Sequence, residues 1–247
     1  MASNGQATAA SRGAVFGNVL ECIGNTPMLE LRKLDTGPCR LFAKLEMQNP
    51  AGSIKDRIGL RMINDAEADG RLDPTGDPPP TIIEATAGNT GLALALVAGQ
   101  KGYTLKVVVP DKMSAEKIQH LRAMGADVVL TRSDVEKGHP EYYQDVAARI
   151  ARETPNSVYI NQFENPSNVA AHHDTTGPEI WDQMEGNVDA LVVGVGTGGT
   201  LSGTGAYLRD KNPNVKLILA DPAESILNPL VNEGKHVKAG SWLIEGM

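Results

Sequence analysis

The stretch "TIIEATAGNTGLALALVA", residues 81–98, joins a short apolar run, a turn of small residues and a longer apolar run. The first run predicts a buried strand and the last a buried helix. This order of strand, tight turn and helix is typical of an α/β protein. Hydroxyl, amide and backbone N–H groups gather where the helix begins, and such a turn suits an anion, a carboxylate in particular. The same residues also suit a simple helix cap with glycines for tight geometry.

Strand-like and helical patterns alternate over the rest of the chain. Further strands are predicted in "TLKVVVP" (104–110), "DVVLT" (127–131), "SVYI" (157–160), "ALVVGV" (190–195) and "VKLILA" (215–220). Helices are predicted in "AEKIQHLRAMGA" (115–126), "EYYQDVAARIARE" (141–153), "PEIWDQM" (178–184) and the glycine-weakened "LSGTGAYLRD" (201–210). Interleaved strands and helices predict parallel sheets that are covered on both faces.

Composition excludes several classes of protein. The chain has 247 residues, 41% of them hydrophobic, and a net charge of -7 without a long basic run. This charge argues against nucleic acid or an anionic membrane surface as a partner, and no apolar run approaches the roughly 20 residues of a membrane span. Two cysteines exclude a disulfide framework and favour a reducing setting, which predicts a cytoplasmic protein. Residues 1–12 predict a flexible tail, with organellar targeting left open.

A lysine stands in the first turn of a predicted helix in "NPAGSIKDR", residues 49–57. The helix dipole disfavours the Lys55 ammonium there by about 0.3–1 kcal/mol and favours the neutral amine. A neutral amine is a nucleophile that forms a Schiff base with a carbonyl. The alternative is a solvated lysine in a charged run, and this stretch alone favours that alternative.

A glycine-rich turn in "VVGVGTGGTLSG", residues 192–203, follows a predicted strand and opens a helix. Its glycines let backbone N–H groups approach a phosphate. Gly194, Gly196 and Gly199 also satisfy the G-x-G-x-x-G dinucleotide fingerprint, and Asp221 stands where a ribose-binding acid is expected. A nicotinamide-dependent oxidoreductase is therefore one hypothesis. A phosphate site, a carboxylate site and a Schiff-base lysine together instead suggest pyridoxal phosphate acting on an amino acid.

The lysine, the G-N-T-G turn and the G-T-G-G-T turn, in this order, resemble the fold-type II pyridoxal phosphate enzymes. More narrowly, the chain resembles the cysteine synthase and cystathionine β-synthase family, also in "IGNTPMLEL" (23–31), "PSNVAAHHDTTGPEIW" (166–181) and "SWLIEGM" (241–247). The resemblance implies a tryptophan synthase β-like fold, in which two three-layer α/β units with mainly parallel sheets hold the cofactor in a cleft. It implies a larger phosphate-binding unit from 13–38 and 162–247, incomplete at its C-terminus, and a smaller unit from 39–161.

The resemblance also implies roles for individual residues. Lys55 would hold pyridoxal 5'-phosphate as a Schiff base and then transfer the α-proton of the substrate, and Asn89 would bind the hydroxyl of the cofactor ring. The other implied ligands are Gly196, Thr197, Gly198, Gly199 and Thr200 for the phosphate, and Thr86, Gly88, Thr90 and Gln162 for the substrate carboxylate. No metal site is predicted, because the adjacent His172 and His173 would point about 100° apart on a helix.

The implied reaction is a β-replacement on O-acetylserine or serine with sulfide or homocysteine. It gives cysteine or cystathionine through a bound aminoacrylate. A homodimer is implied, and serine acetyltransferase is the partner of some cysteine synthases.

Two features depart from the family pattern. Ala87 stands where many members have serine, which resembles a subgroup that uses homocysteine. The chain also reads as C-terminally truncated, since the family's ligand of the pyridine nitrogen lies beyond "EGM". A catalytically inactive binding homologue therefore stays an alternative, beside the nicotinamide-dependent oxidoreductase.

Overall fold

The computed structural model describes residues 15–86, 88–238 and 240. Its strands are β1 (Met28–Glu30), β2 (Phe42–Lys44), β3 (Thr81–Ala85), β4 (Thr104–Pro110), β5 (Asp127–Thr131), β6 (Ser157–Tyr159), β7 (Ala190–Gly194) and β8 (Lys216–Ala220). Its α-helices are α1 (Lys55–Ala68), α2 (Asn89–Lys101), α3 (Ala115–Ala123), α4 (Tyr143–Glu153), α5 (Pro166–Ala171), α6 (Gly177–Gln183), α7 (Gly199–Lys211) and α8 (Leu227–Glu233). Short 3₁₀ turns span Val19–Cys22 and Glu46–Gln48, and a π-helical segment spans His172–Thr176.

The strands form three sheets within the described residues. Four parallel strands lie in the order β5-β4-β3-β6, and β7 pairs with β8, also in parallel. The short strands β1 and β2 form an antiparallel pair that the sequence patterns did not indicate. The predicted strands and helices from residue 81 onward are all present, so the α/β prediction is confirmed.

Alternating side chains place one core on each face of the four-stranded sheet. Ile82 and Val107 join the larger core, to which α1, α2 and α3 contribute buried side chains. Their neighbours in the chain, Ile83 and Val108, point to the other face and pack with Val146 of α4. Two covered faces explain why these strands read as continuous apolar runs, since neither face meets water.

A third core lies around α7 and the pair β7–β8. It is formed by Ile180, Val188, Leu208 and Val215, all at most 8% exposed. Gly203 is needed because a Cβ there would lie 2.2 Å from the backbone oxygen of Val169. The glycines lower the intrinsic helix propensity of α7, but they let the helix lie against its neighbours. The helix therefore forms over all of Gly199–Lys211.

Two parts of the sequence predictions fall outside the described residues. These are the predicted tail, residues 1–12, and the motif at 241–247. Among the described helices, none combines the length and apolar character that a membrane crossing requires.

Candidate active site

Lys55 is the first residue of α1. Its backbone N–H donates to Ser53 Oγ at 3.1 Å, which fixes the start of the helix. The side chain is half-buried, and its amine makes no hydrogen bond or ion pair with any residue that the structure describes. Burial lowers the pKa of this amine. The predicted direction is therefore right, but loss of hydration is the cause, whereas the sequence argument relied on the helix dipole.

A buried ion-pair network holds the first turn of α1. Arg57, whose side chain is 2% exposed, pairs with Glu46 at 2.7 Å and with Glu179 of α6 at 2.6 Å. Lys44 of β2 also reaches Glu179, at 2.6 Å. Burial alone would raise the pKa of Glu179, but the Arg57 and Lys44 cations lower it to about 2. The network ties α1, and with it Lys55, to α6 and β2, and it was not predicted from the sequence.

The predicted carboxylate turn joins β3 to α2. Thr86 Oγ1 accepts the N–H of Gly88 at 3.1 Å, and Thr90 Oγ1 donates to Gln162 Oε1 at 2.6 Å. Thr86, Thr90 and Gln162 are each at most 4% exposed. Asn89 is exposed, and its side chain makes no hydrogen bond to a described residue. The structure thus brings Gln162 to the turn from 72 residues away, while Ala87 lies outside the described residues.

The predicted phosphate loop runs from the end of β7 into α7. Gly198 is the left-handed residue before the helix, with φ 86°, and a Cβ there would meet no atom within 4 Å. Gly196 is exposed, and no acidic side chain stands in the first turn of α7. Open space, bare backbone and unpaired N–H groups at a helix N-terminus are what a phosphate requires.

Two side chains from the α5 side hold the hydroxyls of this loop. Asn168 Nδ2 donates to Thr197 Oγ1 at 2.9 Å, and His172 Nε2 lies 3.2 Å from Thr200 Oγ1. The other ring nitrogen of His172 lies 3.0 Å from Thr176 Oγ1. Burial, together with the nearby cations, lowers the pKa of His172 to about 3, so the imidazole is neutral near pH 7. Asn168 was missed, and His172 was considered only as a metal ligand. The sequence signal for both is a row of polar residues at 168, 172 and 176, which is helical spacing.

These contacts bring the three sequence motifs together. Helix α1, which begins at Lys55, packs against α5, and His172, directly after α5, contacts the phosphate loop through Thr200. The carboxylate turn reaches the same loop through Gln162, whose backbone oxygen accepts from Asn168 Nδ2 at 2.8 Å. A free amine, an open phosphate loop and a turn with hydroxyl groups therefore share one neighbourhood, and they fit pyridoxal phosphate with an amino acid.

Asp221, the ribose-binding acid of the nicotinamide hypothesis, has a structural partner. Its Oδ2 accepts the N–H of Asn228 in α8 at 3.0 Å. This contact gives the carboxylate a role in ordering the start of α8.

Comparison with known proteins places the chain in a family. The model of the pyridoxal-phosphate dependent enzyme family matches residues 19–247, and the chain belongs to that family. The predicted membership in a pyridoxal phosphate family, and with it the cofactor pyridoxal 5'-phosphate, is thereby confirmed.

Individual relatives agree with the narrower resemblance. The chain is 44% identical to cystathionine beta-synthase of Apis mellifera over 236 residues, which cover 94% of the chain and 46% of that protein. It is 43% identical to cysteine synthase 1 of Emericella nidulans over 242 residues, covering 96% and 64%. The chain thus spans less than two thirds of either relative.

A solved structure confirms the fold. A hydrogen sulfide-producing enzyme from Fusobacterium nucleatum superposes with a TM-score of 0.84 at 39% identity, covering 96% of this chain and 73% of that one. With the family match, this superposition confirms the predicted fold-type II class.

Proposed function

We propose that the chain catalyses a β-replacement on O-acetylserine or serine, with sulfide or homocysteine as the nucleophile. The products are cysteine or cystathionine. The observation that carries the proposal is a half-buried Lys55 amine without a partner among the described residues, together with a phosphate loop and a carboxylate turn that Asn168 links through Gln162. The relatives named cystathionine beta-synthase and cysteine synthase support the same reaction class.

Lys55 is the proposed catalytic residue. Bound pyridoxal phosphate supplies an electron sink for the pair left when the α-proton departs. Lys55 holds the cofactor, then takes and returns that proton; its lowered pKa keeps more of the neutral amine available near pH 7. Asn89, exposed and without a partner among the described residues, donates to the ring hydroxyl of the cofactor. The cofactor phosphate would be held by Gly196, Thr197, Gly198, Gly199 and Thr200.

The substrate carboxylate binds at Thr86, Gly88, Thr90 and Gln162. Because Thr86 Oγ1 accepts the N–H of Gly88, its own proton is left to donate to a carboxylate oxygen. Thr90 differs, since its hydroxyl proton goes to Gln162 Oε1. We therefore expect Thr90 to bind the carboxylate through its backbone N–H and to orient Gln162 through its hydroxyl.

The organisation of the protein is part of the proposal. Residues 39–161, which include the four-stranded sheet, form the smaller unit, and 13–38 with 162–247 form the larger one. The protein forms a homodimer, and serine acetyltransferase is a partner if sulfide is the nucleophile. A cytoplasmic setting is supported by two exposed free thiols, Cys22 and Cys39.

The test is the visible absorption spectrum of the purified chain with pyridoxal phosphate. The band of the lysine-bound cofactor is expected in the wild type and in Lys33→Ala, an exposed control, and is lost in Lys55→Ala. O-acetylserine or serine should change the band, and sulfide or homocysteine should restore it. Mass spectrometry then identifies cysteine or cystathionine.

Three results would contradict the proposal at different points. A wild-type chain without the band has no cofactor site. A band that persists in Lys55→Ala would show that a different lysine binds the cofactor. A normal band without product from any pair of substrates indicates the inactive binding homologue.

A further inference from the structure

Asn168 is a buried amide between the two halves of the proposed site. It lies in α5 and is 3% exposed. Its Nδ2 donates to the backbone oxygen of Gln162 at 2.8 Å and to Thr197 Oγ1 at 2.9 Å. Both hydrogens of the amide nitrogen are therefore used, one toward the carboxylate turn and one toward the phosphate loop.

The Gln162 contact fixes which way the amide faces. A backbone oxygen can only accept, so the amide nitrogen must point toward it. If the amide were reversed, Asn168 Oδ1 would face the Gln162 backbone oxygen, and neither atom can donate a hydrogen bond. The same nitrogen then meets Thr197, whose hydroxyl oxygen must accept.

This direction leaves the Thr197 proton for another group. A hydroxyl has one proton to donate, and the Thr197 side chain has no other hydrogen bond with the described residues. We propose that Asn168 is a positioning residue, which makes Thr197 a hydrogen-bond donor to the cofactor phosphate and ties the phosphate loop to Gln162. The inference rests on the proposed function, because it needs a phosphate in this loop.

The packing of the loop against the amide supports this role. A Cβ on Gly199 would lie 1.9 Å from Asn168 Oδ1, so the loop sits directly on the amide. Oδ1 itself has no hydrogen-bond partner among the described residues, although it is buried. A buried acceptor without a partner lowers the stability of the fold. The favourable contribution of the Asn168 side chain therefore comes from the two hydrogen bonds that its nitrogen donates.

Asn168→Asp tests the direction of the hydrogen bond with little change in shape. A carboxylate can only accept, so Thr197 would donate to it and its proton would be lost to the phosphate. The added negative charge would also lie beside the phosphate. The alternative, a buried amide that only stabilises α5, predicts no preference between ligands with and without phosphate.

The experiment compares the dissociation constants of pyridoxal phosphate and pyridoxal, each followed by the absorption band of the lysine-bound ligand. Asn168→Asp is expected to weaken pyridoxal phosphate binding by about 10- to 100-fold and pyridoxal binding by less than about 3-fold. Asn165→Asp is the matched control, with the same change of charge three residues earlier. Its side-chain oxygen caps α5, a role that aspartate retains. Its Nδ2 hydrogen bond to the Ile160 backbone oxygen is lost, but this contact does not involve the phosphate loop, so any loss of affinity should be equal for the two ligands.

A second variant keeps the test decisive if Asn168→Asp does not fold. Thr197→Val removes the hydroxyl and should give the same phosphate-specific loss, and in the double variant the two losses should not multiply. The inference would be overturned if Asn168→Asp weakened binding of both ligands equally, or if Thr197→Val caused no phosphate-specific loss. A phosphate-specific loss in Asn165→Asp would also overturn it. None of these results would contradict the proposed function. A wild-type chain that binds neither ligand would overturn the proposed function as well.

Discussion

The most quantitative prediction concerns Glu84, a carboxyl buried at the end of β3. Its side chain is fully buried, and Oε1 accepts the N–H of Gln162 at 3.4 Å, a long hydrogen bond. Oε2 has no partner among the described residues. Burial raises the pKa of Glu84 to about 8, against the opposing effect of the hydrogen bonds from Gln162. The folded chain therefore keeps this carboxyl protonated near pH 7.

The pH dependence of stability follows from this shift. The ordinary pKa of the group is 4.5, so the unfolded chain releases the proton at a lower pH than the folded chain does. Because the folded pKa is raised, the stability that the group contributes is complete below pH 4.5 and is lost as the pH rises toward 8. Linkage at 1.36 kcal/mol per pKa unit gives a loss of about 3.5 kcal/mol between pH 5 and pH 8.

Glu84→Gln removes the titration and keeps a similar shape. The difference in unfolding free energy between variant and wild type should shift by about 3.5 kcal/mol in favour of the variant from pH 5 to pH 8. Urea unfolding at both pH values measures it, and every other titrating group cancels in the difference. Glu153→Gln, at an exposed position of α4, is the matched control and should change the free energy of unfolding by less than about 0.5 kcal/mol at both pH values. A flat difference for Glu84→Gln would refute the assignment of a protonated carboxyl.

Three further predictions concern packing and charge. Arg57→Met leaves the Glu46 carboxylate without a cation among the described residues, although Glu179 keeps Lys44, and should lower the free energy of unfolding by about 3–5 kcal/mol. Arg32→Met, at a side chain 81% exposed, should change it by less than about 1 kcal/mol, and equal urea midpoints would contradict this. Gly203→Ala should destabilise the chain by about 1–3 kcal/mol, because its Cβ would collide with the Val169 backbone. Gly99→Ala has open space in α2 and should stabilise the chain by up to about 1 kcal/mol. Thermal unfolding measures both, and a higher midpoint for Gly203→Ala than for Gly99→Ala would refute the close packing of α7. The pKa of His172 is lowered in the folded chain, so the stability that the neutral imidazole contributes is present above pH 6.5 and is lost as the pH falls. Relative to His172→Gln, the free energy of unfolding of the wild type should fall by about 2 kcal/mol between pH 7 and pH 5. A difference that stays constant would show that the imidazole is solvated.

Local patterns were sufficient to predict the elements of the four-stranded sheet. Its two central strands, β3 and β4, are largely buried on both faces and bounded by turns, so apolar runs and glycines mark them clearly. The pair β1–β2 gave no such signal, because each strand has three partly exposed residues and ends in a charged side chain, Glu30 or Lys44, whereas β6, of the same length, continues into the buried Ile160. Short, partly exposed strands depend on partners that are distant in the sequence, and periodicity cannot reveal those partners.

The site was predicted where a motif carries its own geometry and missed where a partner is remote. Lys55 and the two glycine turns are recognisable because each stands at a helix start, where backbone N–H groups are free. Arg57 contacts Glu179 across 122 residues. Asn168 reaches Thr197 across 29 residues. Their residue types alone fit solvated positions equally well, and only the fold shows that they are buried.

The glycine fingerprint shows how one local pattern serves two chemistries. In a dinucleotide site, the third glycine allows a helix to pack closely on a strand. Here Gly199 is required because the amide of Asn168 occupies the space of a Cβ, so the constraint comes from α5. The acid expected on a ribose, Asp221, instead accepts from the backbone of α8. The glycine motif alone could not separate the two hypotheses, because the difference lies in what packs on the loop, and that depends on elements outside the motif. The Lys55 stretch and the G-N-T-G turn were what favoured pyridoxal phosphate.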